Sequence, residues 1–233
     1  VGVDQTTVTA FSTSSQQIKT FVGYPQETET TNLTIPVTAS WISDGKDSFI
    51  FPTSGWFQKA GIEVAVPDRD LTFYKASYQL QRYFALSRSF TLMVNGEVGW
   101  ADGYGDTTTL PFYKNFFAGG VNTVRGYKAG SLGPQDQFGN SMGGSKRFVG
   151  QTELLWGVSG MEKTLRFSMF FDAGQVFGPG TPGYPTPGTD FDFAQLRYST
   201  GVAAAWISPM GPLKFSYGYP LNSESGDKIE RFQ

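Results

Sequence analysis

In the stretch Phe90-Thr91-Leu92-Met93-Val94-Asn95-Gly96-Glu97-Val98-Gly99-Trp100 the side chains sort by parity, the mark of a β-strand with two unlike faces. Successive residues of a β-strand point to opposite faces. Phe90, Leu92, Val94, Gly96, Val98 and Trp100 therefore share one face, and Thr91, Asn95 and Glu97 share the other. The first face is oily and free of charge, and the second is polar.

The same pattern recurs along the chain. Leu33, Ile35, Val37, Ala39 and Trp41 oppose Thr34, Pro36, Thr38 and Ser40. Ala60, Ile62, Val64 and Val66 oppose Lys59, Gly61 and Glu63, after Gly55 and before a turn at Pro67-Asp68-Arg69-Asp70. Tyr74, Ala76, Tyr78 and Leu80 oppose Lys75, Ser77 and Gln79. Phe148, Gly150, Thr152, Leu154 and Trp156 alternate with Val149, Gln151, Glu153 and Leu155; Leu165, Phe167, Met169 and Phe171 alternate with Arg166, Ser168, Phe170 and Asp172. Two more strands set Leu196, Tyr198, Val202, Ala204 and Trp206 against Arg197 and Ser199, and Leu213, Phe215, Tyr217 and Tyr219 against Lys214, Ser216 and Gly218. A weaker strand near Val3 to Phe11 and a last one ending at Gln233 bring the expected number to about ten.

A soluble β-sandwich also alternates, but three features favour a membrane barrel. Trp41, Trp56, Trp100, Trp156 and Trp206 sit near the ends of the oily faces, as interfacial girdles require. Connections alternate between short ones (85–89, 158–164, 208–212) and long ones (12–31, 106–147, 178–194), although the turns at 67–70 and 222–227 break the rule. Every mid-strand charge, namely Lys59, Glu63, Lys75, Glu97, Glu153, Arg166, Asp172, Arg197 and Lys214, falls on the polar face. A Lys or Arg facing lipid at mid-depth would cost about 2 to 4 kcal/mol.

Composition narrows the chemistry. There is no Cys and no His, so disulfides, thiolate sites and the commonest metal ligand and general base are excluded. The net charge of −2 without a dense Lys/Arg cluster argues against nucleic acid. No run of about 18 apolar residues suggests a transmembrane helix, and the sequence starts at Val1 without a charged n-region and apolar h-region, so any signal peptide has been removed and Val1 is taken as not the native start. No cofactor, metal site or catalytic constellation is expected.

The connection 106–147 is too long for a passive link. Its segment Asn115-Phe116-Phe117-Ala118-Gly119-Gly120-Val121-Asn122-Thr123-Val124-Arg125-Gly126-Tyr127 is apolar and glycine-rich, which predicts that it folds back inside the barrel. Gln16 to Lys19, after Ser15, reads as a short helical turn or plain loop, and 177–189 as an external loop.

Gly119-Gly120, Val124-Arg125-Gly126-Tyr127 and Leu132-Gly133-Pro134 resemble the sixth external loop of the BamA-type barrel-assembly insertases, whose VRGF or VRGY tip lies in the lumen. The resemblance runs on through Phe171 to Phe177, the stretch 206–217 (WISPMGPLKFSY) and Asp227 to Gln233, in matching order from Pro52 onward. It implies an all-β fold, a transmembrane antiparallel barrel of sixteen strands of which this chain carries the carboxy-terminal part. The POTRA domains and first strands would lie outside residues 1–233, and the last strand stops short of the terminal aromatic residue expected. It also implies that Arg125 pairs with Glu153 and Asp172 on the lumen wall; Tyr127, with no catalytic constellation to recruit it, is read as packing against that wall rather than performing chemistry. The function implied is non-enzymatic assembly and insertion of β-barrel proteins into the bacterial outer membrane through a lateral gate. Unfolded outer-membrane proteins would be clients, accessory lipoproteins would act through the POTRA domains, and membrane lipid would be a partner. Two-partner secretion transporters and TamA-like proteins share the loop motif, and a passive porin would lack it.

Overall fold

The computed structural model describes residues 3–67, 70–180 and 186–233. Eight antiparallel strands form one sheet: β3 (Pro36–Asp44), β4 (Gly55–Ala65), β5 (Phe73–Ala85), β6 (Phe90–Gly103), β8 (Lys146–Gly157), β9 (Leu165–Phe177), β10 (Arg197–Ser208) and β11 (Gly211–Pro220). Each pairs with its neighbours in chain order, the meander of an up-and-down barrel wall. A separate hairpin, β1 (Asp4–Thr9) with β2 (Glu29–Thr34), precedes it, and α1 (Gln16–Val22) lies between those two strands. Two short strands, β7 (Gly126–Tyr127) and β12 (Ile229–Glu230), pair with each other.

Burial along this sheet is inverted relative to a soluble protein. On β9, Arg166, Ser168, Phe170 and Asp172 are buried while Phe167, Met169 and Phe171 are exposed. On β6, Thr91, Met93 and Asn95 are buried while Phe90, Val94, Val98 and Trp100 are exposed. A sandwich would bury the oily face. Here the polar face is turned into the concave interior and the oily face outward, the arrangement that hydrocarbon demands of a barrel wall.

The girdle expectation needs one correction. Trp56, Trp156 and Trp206 lie near the short-turn end and Trp100 near the long-loop end, but Trp41 stands opposite Ala60, at the middle of β4. Arg82 does face outward. It sits at the short-turn end, opposite Trp56, with its guanidinium 5.4 Å from the Phe84 ring centroid, where a long side chain can reach water from an apolar stem.

The strand count also changes from about ten. The alternating stretch Leu33 to Trp41 is broken at Ile35: Pro36 has no amide to donate and opens β3, as proline does at a strand start. The residues before it pair with β1, so neither β1 nor β2 joins the wall. At the other end, residues 231–233 join β11 through Gly218 N–H to Arg231 O (2.8 Å) and reciprocal bonds between Ser216 and Gln233 (2.7 and 2.9 Å). Ile229 and Glu230 turn inward to β7 instead. The helical option for the stretch after Ser15 is the one observed: the Ser15 hydroxyl caps α1 by accepting from Ile18 N–H, and Gly23 ends it at φ 86°. Of the turn expected at 67–70, Asp68 and Arg69 lie outside the described residues, as do 181–185 of the loop expected at 177–189.

Inverted burial has a measurable consequence. Leu80 is exposed near mid-strand on the outward face, and Gln81 faces inward. Leu80→Arg in the full-length protein should lower folding stability in lipid vesicles by about 2 to 4 kcal/mol, while Gln81→Arg stays near wild type. Urea titration of the two variants checks this; equal loss at both sites would contradict the facing.

Candidate functional site: the inward loop and its anchors

The connection between β6 and β8 occupies the concave side of the sheet. Its tip begins with a tight turn, in which Thr123 N–H donates to Gly120 O and Gly120 N–H to Val124 O, both 3.1 Å. Leu132 N–H donates to Ala118 O (3.0 Å), closing the limbs of the tip on each other. Ala118, Val124, Tyr127 and Leu132 then pack with Val149 of β8 and Val176 of β9 in one buried cluster. The hydrophobic effect explains why so apolar a loop does not stay in water.

Arg125 projects from this tip and is 1% exposed. Its Nε and Nη2 each donate to an Asp172 carboxylate oxygen at 2.8 Å, and its Nη1 donates to Glu153 at 3.2 Å. The Arg125 backbone N–H adds a bond to Asp172 at 3.1 Å. Asp172 is 0% and Glu153 5% exposed. A planar guanidinium suits this geometry, because two parallel N–H bonds match the two carboxylate oxygens. The structure thus brings together all three charged residues singled out in the sequence. Val124 and Tyr127 flank them, both 0% exposed, and the Tyr127 hydroxyl faces the Tyr198 carbonyl at 3.4 Å.

Parity reading had missed several partners. Phe170 lies under the guanidinium, 3.5 Å from ring centroid to Arg125 Cζ, a contact of about 2 kcal/mol when desolvated. Its signal was an aromatic residue on the polar face between Ser168 and Asp172. Ser168 donates to Glu153, and Gln151 donates to the Thr123 carbonyl at 2.8 Å. Gly174 lets Val124 seat on β9, since a Cβ there would lie 2.7 Å from Val124 Cγ2.

The first limb of the loop has its own socket. Phe116 rests on Gly99, where a Cβ would come within 2.7 Å of the ring, and lies between Lys75 (4.3 Å) and Arg147 (5.3 Å). Lys114 pairs with Glu63 at 2.6 Å, Lys75 donates to Lys114 O at 2.7 Å, and Arg147 pairs with Glu97 and donates to Phe117 O at 3.0 Å. Inward charges on β4, β5, β6 and β8 thus serve the loop as well as lining the wall.

A second inward segment enters from the short-turn end. The turn 45–54 crosses to β9, where Arg166 donates to Pro52 O at 2.8 Å and to Phe51 O at 3.3 Å, over the Phe51 ring. Asp47 organises the turn by accepting from the amides of Thr53 (2.8 Å) and Ser54 (3.1 Å) and from the Thr53 hydroxyl. Its slight burial pushes its pKa up, but these hydrogen bonds outweigh that and hold it at about 2. A lowered carboxyl pKa stabilises the turn above the ordinary carboxylate range, and that contribution is lost as pH falls through about 2. Arg166→Ala is expected to free the turn from the mouth and raise the planar-bilayer conductance of the full-length protein. A conductance trace indistinguishable from wild type would refute that role.

Among the described residues, no three His, Cys, Asp or Glu side chains gather as a metal ion would need, and no helix is long and apolar enough to cross a membrane. The second statement leaves strands free to do so.

Comparison with known proteins accords with this architecture. The chain is 39% identical over 218 residues to the outer membrane protein assembly factor BamA of Neisseria meningitidis serogroup B, covering 84% of this chain and 27% of that protein. It is 28% identical over 203 residues to the protein of the same name from Nitratidesulfovibrio vulgaris, covering 84% and 24%. The chain therefore spans about a quarter of the length of these curated relatives. Among solved structures, BamA from Haemophilus ducreyi lacking POTRA domains 1–3 superposes with a TM-score of 0.79 at 24% identity, covering 89% of this chain and 43% of that one. This likeness shows the fold, a section of a transmembrane β-barrel. The sequence model of the Omp85 superfamily domain matches residues 1–233, and the chain belongs to that superfamily.

Proposed function

We propose that this chain is the carboxy-terminal barrel wall of a non-enzymatic insertase that assembles β-barrel proteins in the bacterial outer membrane. The observation carrying this reading is how the last strand divides its backbone bonds. Residues 231–233 bond to β11, whereas Ile229 and Glu230 pair with Tyr127 and Gly126 of the loop tip. Lys128 N–H donates to Lys228 O (2.8 Å), and Gln233 Nε2 donates to Tyr127 O (2.7 Å). The loop tip is therefore bonded to the segment that runs onto β11, and is placed to steady that segment while a client strand is taken up.

The name that both reported relatives carry, outer membrane protein assembly factor, supports assembly over secretion or passive conduction. The clients would be unfolded outer-membrane proteins. Accessory lipoproteins would bind POTRA domains elsewhere in the full-length protein, and the remaining strands would complete the barrel. Arg125, Glu153 and Asp172 would anchor the loop rather than perform chemistry.

Cells depleted of their own assembly factor test this directly. The full-length protein should restore growth and porin trimers, and a version lacking 119–133 should not. Failure to restore, together with a large steady conductance in planar bilayers, would favour a porin.

A further inference from the structure

On the outward face of the sheet, β10 carries small residues at mid-strand. Between Tyr198 and Trp206 the outward residues of β10 are Thr200, Val202 and Ala204, all small. The strands on either side carry large ones. Register sets Ala204 between Phe167 and Phe215, and Val202 between Met169 and Tyr217. Neighbouring strands are about 4.8 Å apart, so two aromatic ridges about 10 Å apart flank a floor of small side chains. The trench encloses about 560 Å³, well inside the range of about 300 to 1,000 Å³ typical of small-molecule sites. Its ridges are braced: Trp156 leans on Phe167 at 6.0 Å, and Phe232 stacks on Phe215 at 6.4 Å between centroids. Trp206, exposed on the same face, marks the short-turn end.

We propose that this trench seats one acyl chain of a membrane phospholipid, with the headgroup toward Trp206. Two physical arguments choose that occupant. The trench is continuous with the outward face that exposes Leu80, Val94 and Leu154, the face that meets hydrocarbon. A polypeptide segment lying there would have to satisfy its own backbone N–H and C=O groups at membrane depth, and those of β10 are already committed to the ladders with β9 and β11. An acyl chain brings no polar groups and needs only apolar contact. The seat depends on the barrel wall alone, so it stands or falls separately from the assembly role.

Photolabelling tests it. The full-length protein is reconstituted in phosphatidylethanolamine and phosphatidylglycerol vesicles containing a phosphatidylethanolamine with a mid-chain diazirine. Adducts should concentrate on the peptides around Phe167, Ala204 and Phe215, about tenfold over those around Ile62 and Leu80, equal to about 1.4 kcal/mol of preference. Ala204→Trp fills the trench and should abolish the excess without changing labelling at Ile62. Should that variant not give the compact, heat-modifiable band of a folded barrel, Phe215→Ala removes one ridge without adding bulk and should lower the excess in the same way. Even labelling of the whole outward face in the wild type overturns the proposal. So does an excess that persists in folded variants, or one displaced by an unfolded client strand, which would assign the trench to polypeptide.

Discussion

Arg125→Ala in the full-length protein is expected to release the tip of the inward loop while leaving its first limb in place. The substitution removes three side-chain bonds and the stack on Phe170, and leaves Asp172 and Glu153 facing each other in a site closed to water. Breaking a buried pair in this way costs about 3 to 5 kcal/mol, because the remaining charges keep their desolvation penalty. Local opening would become more frequent by about two to three and a half orders of magnitude, at 1.4 kcal/mol per tenfold. Trypsin reads this at two sites. Lys128 is exposed but held in backbone bonding to Lys228, so its cleavage should accelerate steeply. Lys114 is paired with Glu63 beside the Phe116 socket, so its cleavage should stay slow. Arg125→Lys should fall in between, since an ammonium cannot span both oxygens of Asp172 while reaching Glu153. Equal cleavage at Lys128 in wild type and Arg125→Ala, with assembly activity unchanged, would end the anchoring proposal.

What the sequence could and could not reveal follows from which interactions are periodic. The wall was legible because a period of two sorts every residue, and because hydrocarbon outside and a polar, hydrogen-bonding interior impose opposite chemistry on the two faces. Glu153 and Asp172 fell on the inward face by counting alone, and resemblance to a loop motif then paired them with Arg125. Phe170 was visible on the same face but had no assigned partner, since parity says where a side chain points and not what lies above it. The break at Ile35 was hidden because Leu33 to Trp41 alternates without interruption; the missing amide of Pro36 outweighs the pattern. The ends were misread for a related reason. Residues 3–11 and 229–233 have strand-like sequences, but their pairing is fixed by tertiary neighbours, the β2 segment in one case and the lumen loop in the other. Likewise, nothing in the stretch 45–54 marks it as an inward segment until Arg166 is seen to hold its carbonyls.

Gly218→Val should reproduce the Arg125→Ala cleavage pattern although every charged anchor remains. The loop tip does not merely hang from Arg125; its backbone lies flat on β11. A Cβ at Gly218 would fall 2.6 Å from Gly126 N, 2.8 Å from Gly126 Cα and 2.9 Å from the Arg125 carbonyl carbon. These are backbone atoms, so no rotamer change can make room. Gly126 cannot yield either, because it holds φ 88°, where residues with a Cβ are strained, and a Cβ there would meet the Gly218 carbonyl carbon at 3.0 Å. The tip must lift off the strand, and lifting carries the guanidinium away from Asp172. Overpacking a close contact typically costs about 1 to 3 kcal/mol, and misalignment of the fork adds to it. Both substitutions break the same docked state, so the double variant should be far from additive, as expected of residues that share one contact. Trypsin kinetics at Lys128 for the two single variants and the double variant separate the cases. A Gly218→Val protein that keeps the wild-type rate would mean that the tip does not rest on β11, and fully additive effects would mean that the arginine fork and the glycine contact hold the loop independently.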